Sequence, residues 1–455
     1  VFQEKTMPQH VVIIGGGISG LSAAYDLARA GIAHTLFEKQ ARLGGVIETR
    51  TQDGCLLECG PDSFLASKPD AIGLIKELGL EGELIGSNDF QRTTYILKHG
   101  RLVPLPEGVM MIVPTKVMPL IRSSLLGWGT KMRMGMELLR RPKRYPDRSV
   151  AEFVIDHFGQ ETLDYLAEPL LSGVYGGNPR DLSAPSVLPR FVEMETTKGS
   201  LGRAVMGTRP ASPGGGSLFK TLASGLGTII ETLATYANVQ HDQINAIEKL
   251  KSGYRVRAAG DWIEASNVIV ATPAPSAASL LKGIDPELAK QLAAIPYSSS
   301  ALVSLIFDES QFDGQRAGFG FLVPKRERDR LAACTFVATK FSHRAPDDRI
   351  ILRCFFGGTG DEAILNESDE SLIIIAREEL RRILGLTAAP LFTNISRWPK
   401  SMAQYNVGHS VRIEEIRKRL AVVPGLHLAG NAYDGIGIPD CVRSGRTAAA
   451  GIARV

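Results

Sequence analysis

HVVIIGGGISGLSAAYDLARAG, residues 10–31, decides how this chain begins to fold. Val11–Ile14 is an unbroken apolar run, the composition of a strand buried on both faces. Gly15, Gly17 and Gly20 follow at G-x-G-x-x-G spacing. The first allows the tight turn, the second lets backbone approach a pyrophosphate, and the third lets helix pack close to strand. The helix keeps Ile18, Leu21, Ala24, Leu27 and Ala28 on one face and stops at Gly31. A second strand, Ala33–Phe37, ends at Glu38, whose carboxylate can accept from both hydroxyls of a ribose and repels a 2′-phosphate.

Working outward, a second glycine turn stands almost at the other end, LHLAGNAYDGIGIPDCV at 426–442. One such fingerprint is a weak signal. Two of them, closing the chain from both ends, suggest one long ligand held at each end, and FAD is the first candidate. KQARLGGVIET (39–49) sets Gly44 and Gly45 just past the second strand, where the chain crosses back over a dinucleotide. LECGPDSF (57–64) is a tight turn suited to lie against a flavin ring. Taken singly, each reads as an ordinary loop; their order behind the first fingerprint gives them weight.

At 455 residues the chain exceeds what one core supports, so two or three domains are expected. Hydrophobic residues at 44% against 22% charged describe an ordinary globular protein. The five cysteines form no C-x-x-C pair, which points to reduced thiols, and the eight histidines show no metal-ligand spacing, so no metal is expected. No leader is read in the first residues and no stretch of 18 apolar residues exists. The expectation is a cytoplasmic protein, with attachment to the inner face of a membrane left open. That option comes from the window 114–148, which holds nine Lys/Arg against Glu137 and Asp147, mixed with Trp128 and several Met and Leu. It suits either a helix on an anionic membrane or a solvated basic subdomain. Nucleic acid is not expected, because no reader motif accompanies the charge.

Residues 1–87 read as βαβ plus a short helix over Asp70–Leu78, and 88–212 as mostly helical with breaks at Pro142, Pro146 and GVYGGNP (173–179). RPASPGGGS (209–217) reads as a loop, Leu218–Tyr236 as a helix, and 238–273 as a four-strand meander. Beyond it, strands are expected over Ala301–Phe307, Phe319–Val323 and Ile350–Phe356, with a helix over Leu372–Leu384.

With these pieces in order, the chain resembles the FAD-dependent amine-oxidase and phytoene-desaturase superfamily, and most closely its protoporphyrinogen oxidases. The superfamily features are GGGISG, LFEK, RLGG, GPDSF, VIVATP (268–273) and LAGN…GIGIPDCV; those that narrow it are EPLLSGVYGGNPRDLS (168–183), FSHRAP (341–346) and QYNVGH (404–409). The resemblance implies an α/β fold (α+β overall). A Rossmann-like FAD-binding domain would take 1–87, 213–275 and 408–455, a mixed-sheet substrate domain 88–113 and 276–407, and a helical, membrane-associating domain 114–212. It implies flavin contacts from Gly15, Gly17, Gly20, Glu38, Gly44, Gly45, Gly60, Pro61, Asp62 and Ser63. Val239 would meet the adenine through its backbone, Trp398 would flank the isoalloxazine, and Gly430, Ile436, Gly437 and Ile438 would close the site. The helix opening at Pro439 would aim its N-terminus at the flavin, where it favours negative charge.

For a tetrapyrrole substrate the resemblance implies Arg92 pairing with a propionate in a pocket shielded from water. Phe319, Leu322 and Phe355 would sandwich the macrocycle, and the Gly173 carbonyl, the one catalytic candidate, would face a pyrrole N–H. The implied reaction is a six-electron oxidation of protoporphyrinogen IX with molecular oxygen as acceptor; coproporphyrinogen III, amine and carotenoid substrates stand as alternatives, and a homodimer is left open. A GDP-dissociation-inhibitor-like escort shares the scaffold but requires a degenerate flavin site, whereas these glycines are intact. Val46 and Ala403 depart from the superfamily's basic residue and proline. No cysteine stands just before Gln404-Tyr405, so FAD is expected to bind non-covalently.

Overall fold

A computed structural model describes residues 9–206, 217–314 and 317–453. All but Ser217 of the loop expected at 209–217 lies outside them. The first layer is a five-stranded, all-parallel sheet in the order Val239–Gln240, Ala33–Phe37, His10–Ile14, Asn267–Val270, Leu426–Leu428. Val11–Ile14 are 0–5% exposed and serve two cores at once. Val11 and Ile13 pack with the helices Ile18–Arg29 and Ile438–Ala453, while Val12 and Ile14 face a second core that includes the helix Ala274–Leu281. The apolar run without alternation follows from burial on both sides. The first and last helices cross closely: a Cβ at Gly445 would collide with the Ser19 carbonyl, and Ser19 Oγ donates to the Cys441 carbonyl at 2.9 Å.

The second layer is a seven-stranded sheet in the order Phe392–Ala403, Tyr297–Asp308, Arg349–Gly357, Leu331–Phe336, Gly320–Leu322, Thr94–Lys98, Arg101–Pro104. It is antiparallel except where Gly320–Leu322 meets Thr94–Lys98. One face carries Val303, Phe321, Cys334 and Cys354 against Leu372, Ala376 and Leu380 of the helix Asp369–Leu384. Residues 117–206 supply short helices. Among the described residues no helix is long and apolar enough to cross a membrane.

Three expectations need correction. The segment read as one helix, Leu218–Tyr236, is a strand, Phe219–Leu222, followed by a helix, Gly227–Ala234. Gly225 at φ +99 separates them, and the strand pairs with Phe64–Leu65 and Leu84–Gly86. The meander has three strands, because Asn267–Val270 joins the parallel sheet instead. The region after 88 was expected to be helical, yet Thr94–Lys98 and Arg101–Pro104 form a hairpin. His99 (φ +50) and Gly100 (φ +73) give it the left-handed two-residue turn that matches strand twist.

Candidate active site

The glycines of the first turn divide by what surrounds them. Gly15 sits at φ +113, and a Cβ there would lie 2.7 Å from the Ala271 carbonyl oxygen. A Cβ at Gly20 would run into the Gly15 carbonyl. Gly17 has ordinary extended backbone (φ −73, ψ 174), and a Cβ on it would meet no protein atom within 4 Å. The missing side chain at Gly17 therefore serves something other than the fold.

Around that space the predicted residues converge. Gly44 donates its N–H to the Gly16 carbonyl at 2.8 Å, and a Cβ at Gly45 would meet just the Gly17 Cα within 4 Å among the described residues. Arg42, which sequence reasoning passed over inside RLGG, fixes this loop by donating to the carbonyls of Leu43 and Ile47 at 2.8 Å and to that of Gly45. Glu38 is oriented by the N–H groups of Gly16 (2.7 Å) and Gln40 (2.9 Å), each oxygen keeping a lone pair. Asn238 and Gln240 turn their carbonyls to the neighbouring strand, so the N–H and C=O of Val239 face the free edge. Gly430 (φ +134) likewise has open space where a side chain would be. Residues 436–438 lead from it into the last helix, whose first turn carries the buried Asp440, paired with Lys68 at 2.5 Å and Arg443 at 2.8 Å. Tyr405 ties this turn down: its hydroxyl donates to the Asn431 carbonyl (2.7 Å) and accepts from the Gly435 N–H (2.8 Å). The open positions, the oriented carboxylate and the free backbone edge fit a dinucleotide such as FAD.

The turn at 60–63 packs against this cradle, since a Cβ at Gly60 would strike the Val46 carbonyl. Its other side is held by the large sheet. Trp398 Nε1 donates to the Cys59 carbonyl at 2.7 Å, and Arg353 donates to the Gly60 carbonyl at 2.6 Å. The Asp62 carboxylate is taken up by Lys340 (3.0 Å), Arg353 (3.1 Å) and the Ser63 hydroxyl (2.6 Å). Despite burial, Lys340 and Arg353 hold Asp62 well below the usual carboxylate range, while burial pulls Lys340 down. Arg344 completes the cluster, donating to Glu58 at 2.6 Å and to the Thr221 hydroxyl at 2.7 Å. Lys340, Arg344 and Arg353 were not foreseen; a lone arginine inside the apolar strand ILRCFF was the available signal for the last.

The face of the large sheet away from its helix bears the substrate candidates. Leu322, Ala333 and Phe355 lie in one cross-strand row. Gly173, in the last turn of the helix Glu168–Tyr175, sits above it: a Cβ there would be 3.6 Å from Leu322 Cδ2, ordinary contact. Of the last carbonyls of that helix, Ser172's accepts from the Gly176 N–H (2.8 Å) and Tyr175's from Gln404 (2.7 Å). No bond to the Gly173 carbonyl is made among the described residues, so it remains an open acceptor. Phe319, buried, donates its N–H to the Thr93 carbonyl at 2.8 Å, which sets it next to Arg92. Arg92 itself is exposed, at the end of the short turn Asp89–Gln91, and is not the shielded cation expected.

Within the basic window several cations have partners in the protein. Arg140 pairs with Asp156 at 2.6 Å, Arg133 donates to the Ile155 carbonyl at 2.7 Å, and Lys131 donates to the Ile121 and Ser123 carbonyls. These cations brace the helices. Asp156, His157 and Glu195 approach as metal ligands would, but Arg140 and Arg148 already neutralise the carboxylates. His157 bridges Glu137 (3.0 Å) and Glu195 (2.9 Å), and these two partners raise its pKa against burial.

Comparison with known proteins follows the same lines. Residues 18–453 match the family of flavin-containing amine oxidoreductases. A Bacillus subtilis protein named coproporphyrinogen III oxidase is 35% identical, covering 97% of each chain. Protoporphyrinogen oxidase 2 of Arabidopsis thaliana is 26% identical over 98% of this chain and 94% of its own. A crystal structure described as a candidate protoporphyrinogen oxidase from Exiguobacterium superposes with a TM-score of 0.87 at 34% identity, covering 98% of this chain and 99% of the other.

Proposed function

Because the chain belongs to the flavin-containing amine oxidoreductase family, we propose that it is an FAD-dependent oxidase of coproporphyrinogen III, forming coproporphyrin III. One observation carries this reading: an apolar row, Leu322–Ala333–Phe355, lies against Gly173, whose carbonyl is an open acceptor, and the exposed cation Arg92 stands just before the strand paired with Leu322. A broad macrocycle needs apolar walls, while its carboxylates belong at a wet edge. An amine would be repelled by Arg92. Protoporphyrinogen IX, the substrate first expected, is the second reading. It is supported by the name of the Arabidopsis relative, but the relatives between 32% and 35% identity are named for the coproporphyrinogen.

Bound FAD would supply the hydride acceptor and, through reoxidation by O2, the route for six electrons to hydrogen peroxide in three rounds. Gly17, Gly45 and Gly430 would leave room for it, Glu38 would take the ribose hydroxyls, and the free edge at Val239 the adenine. Gly173 would orient a pyrrole N–H through its carbonyl. Ala403 precedes Gln404, so no tether forms and denaturation should release intact FAD. The chain would divide into an FAD-binding domain over 1–87, 213–275 and 408–455, a substrate domain over 88–113 and 276–407, and a helical domain over 114–212. The deciding experiment is anaerobic mixing of the holoenzyme with each porphyrinogen. Flavin bleaching by coproporphyrinogen III ahead of protoporphyrinogen IX supports the assignment; the reverse order moves the substrate, and a protein that binds no FAD refutes the whole reading.

Two mutations follow. Arg92→Ala should raise KM about threefold to fivefold with kcat unchanged, because an exposed pair contributes at most about 1 kcal/mol. A thirtyfold loss would mean that Arg92 becomes enclosed when substrate binds. Gly173→Ala should stabilise its helix by up to about 1 kcal/mol, since glycine is the poorer helix former. The added methyl should at the same time lower kcat/KM, because it enters the substrate space. A higher melting temperature with undiminished turnover would remove Gly173 from the site.

We further propose peripheral membrane attachment. On the helix Trp128–Glu137 and just past it, Trp128, Met132, Met136 and Leu139 are 62–81% exposed at i, i+4, i+8 and i+11, one stripe. Val117, Met118 and Ile121 are exposed nearby, and Arg122, Arg141 and Arg144 are solvent-facing cations. Trp128→Ser with Met132→Ser should abolish sedimentation with anionic vesicles and leave the melting temperature in place. Wild-type protein that ignores such vesicles at low salt would make the stripe a merely exposed face.

A further inference from the structure

Behind the turn at 60–63 lies a buried ion cluster with unequal charges. Glu58 and Asp62 supply two carboxylates; Lys340, Arg344 and Arg353 supply three cations, joined to them at 2.6–3.1 Å. All five side chains are at most 19% exposed. Water does little to screen such a group, so the surplus positive charge acts over a distance. The cluster also lacks acceptors: the Nε–H groups of Arg344 and Arg353 are buried without a hydrogen-bond partner among the described residues. Local structure alone does not call for the third cation, because Arg353 by itself already reaches both Asp62 and the Gly60 carbonyl.

Of the two parts this turn joins, one is the dinucleotide cradle, through Gly60 and Val46. The other is the substrate face, through Arg353, whose guanidinium carbon lies 5.2 Å from the centroid of the Phe355 ring. We propose that Lys340 is a positioning and charge-setting residue: the net positive cluster it completes is the counter-charge for the anionic, reduced form of a flavin bound against the 60–63 turn. This rests on the flavin reading above. The cluster favours negative charge on the ligand and so raises its readiness to accept electrons.

The test reads charge separately from shape, using purified holoenzyme. Lys340→Met removes the surplus, Asp62→Asn doubles it, and the double variant restores the original balance with neither side chain present. Two readouts are used: the reduction potential of the bound flavin, and the dissociation constant of sulfite, an anion that adds to oxidised flavin. The expected order of potential is Asp62→Asn highest, then wild type together with the double variant, then Lys340→Met lowest. Sulfite affinity should follow the same order, with steps of about tenfold, the effect of a unit charge at roughly 10 Å under an effective dielectric near 20. If Lys340→Met fails to hold flavin, Asp62→Asn against wild type still decides. Potentials and sulfite constants that stay put, or a double variant that tracks Lys340→Met, overturn the inference. A wild-type protein without flavin overturns the reading beneath it instead.

Discussion

Gly17→Val is expected to give a folded, colourless protein. Valine is at home in the extended backbone of Gly17, and its Cβ would meet no protein atom within 4 Å. Apo-protein stability should stay within about 1 kcal/mol of wild type, the scale of a helix N-cap change. The branched side chain would fill the space assigned to the pyrophosphate, and FAD affinity should fall by about 100-fold or more, some 2.7 kcal/mol. Titration of apo-protein with FAD, beside a thermal melt, separates the two effects. Gly20→Ala is the contrast: its methyl runs into the Gly15 carbonyl, so the fold itself should suffer. Wild-type FAD affinity in Gly17→Val would remove the pyrophosphate from this turn.

Arg344→Met should be the most destabilising single change in the ion cluster. The guanidinium is buried and donates to Glu58, to the Thr221 hydroxyl and to the Asp62 carbonyl. Without it the buried Glu58 keeps, among the described residues, the Leu226 N–H (2.9 Å) and the Thr49 hydroxyl (2.8 Å). Removing one partner of such a pair costs about 3–5 kcal/mol, chiefly through the charge left behind. Adding Glu58→Gln should recover much of that loss. Denaturant unfolding of the single and double variants checks both statements, and a double variant no better than the single would place the cost in packing.

The first two strands of the parallel sheet were readable from short-range pattern. Val11–Ile14, the glycine spacing and Ala33–Phe37 need only local rules, and they fall where expected. The strand Thr94–Lys98 was passed over although it forms a local hairpin with Arg101–Pro104; its other partner, Gly320–Leu322, lies more than 200 residues away. Leu218–Tyr236 misled for a similar reason: LFKTL suits helix or strand, and pairing with Phe64–Leu65 and Leu84–Gly86 decides. The site shows the same division. Gly17, Glu38 and Gly45 announce themselves in motifs, whereas Lys340, Arg344 and Arg353 act on a turn some 280 residues earlier, a relation no spacing encodes. Arg92 was legible as a residue type, but its exposure was not.

The contact between Ser19 and the last helix has a bearing on how the protein is made. His10–Ile14 has Asn267–Val270 as its neighbour on one side, and Leu426–Leu428 completes the sheet beyond that. A chain emerging from the ribosome therefore holds a βαβ unit whose apolar strand lacks its second neighbour until Asn267–Val270 is made, and part of the cover of Val11 and Ile13 until the Ile438–Ala453 helix follows. Contacts of such sequence separation form slowly, because the intervening loop must be closed first. The Ile438–Ala453 helix seals the first helix through Gly445 and Ser19, so the nucleotide cradle can take its final form only once that helix has emerged. Completion of the cradle is then a late event, and chains cut short before Leu426 are left as targets for chaperones and proteases.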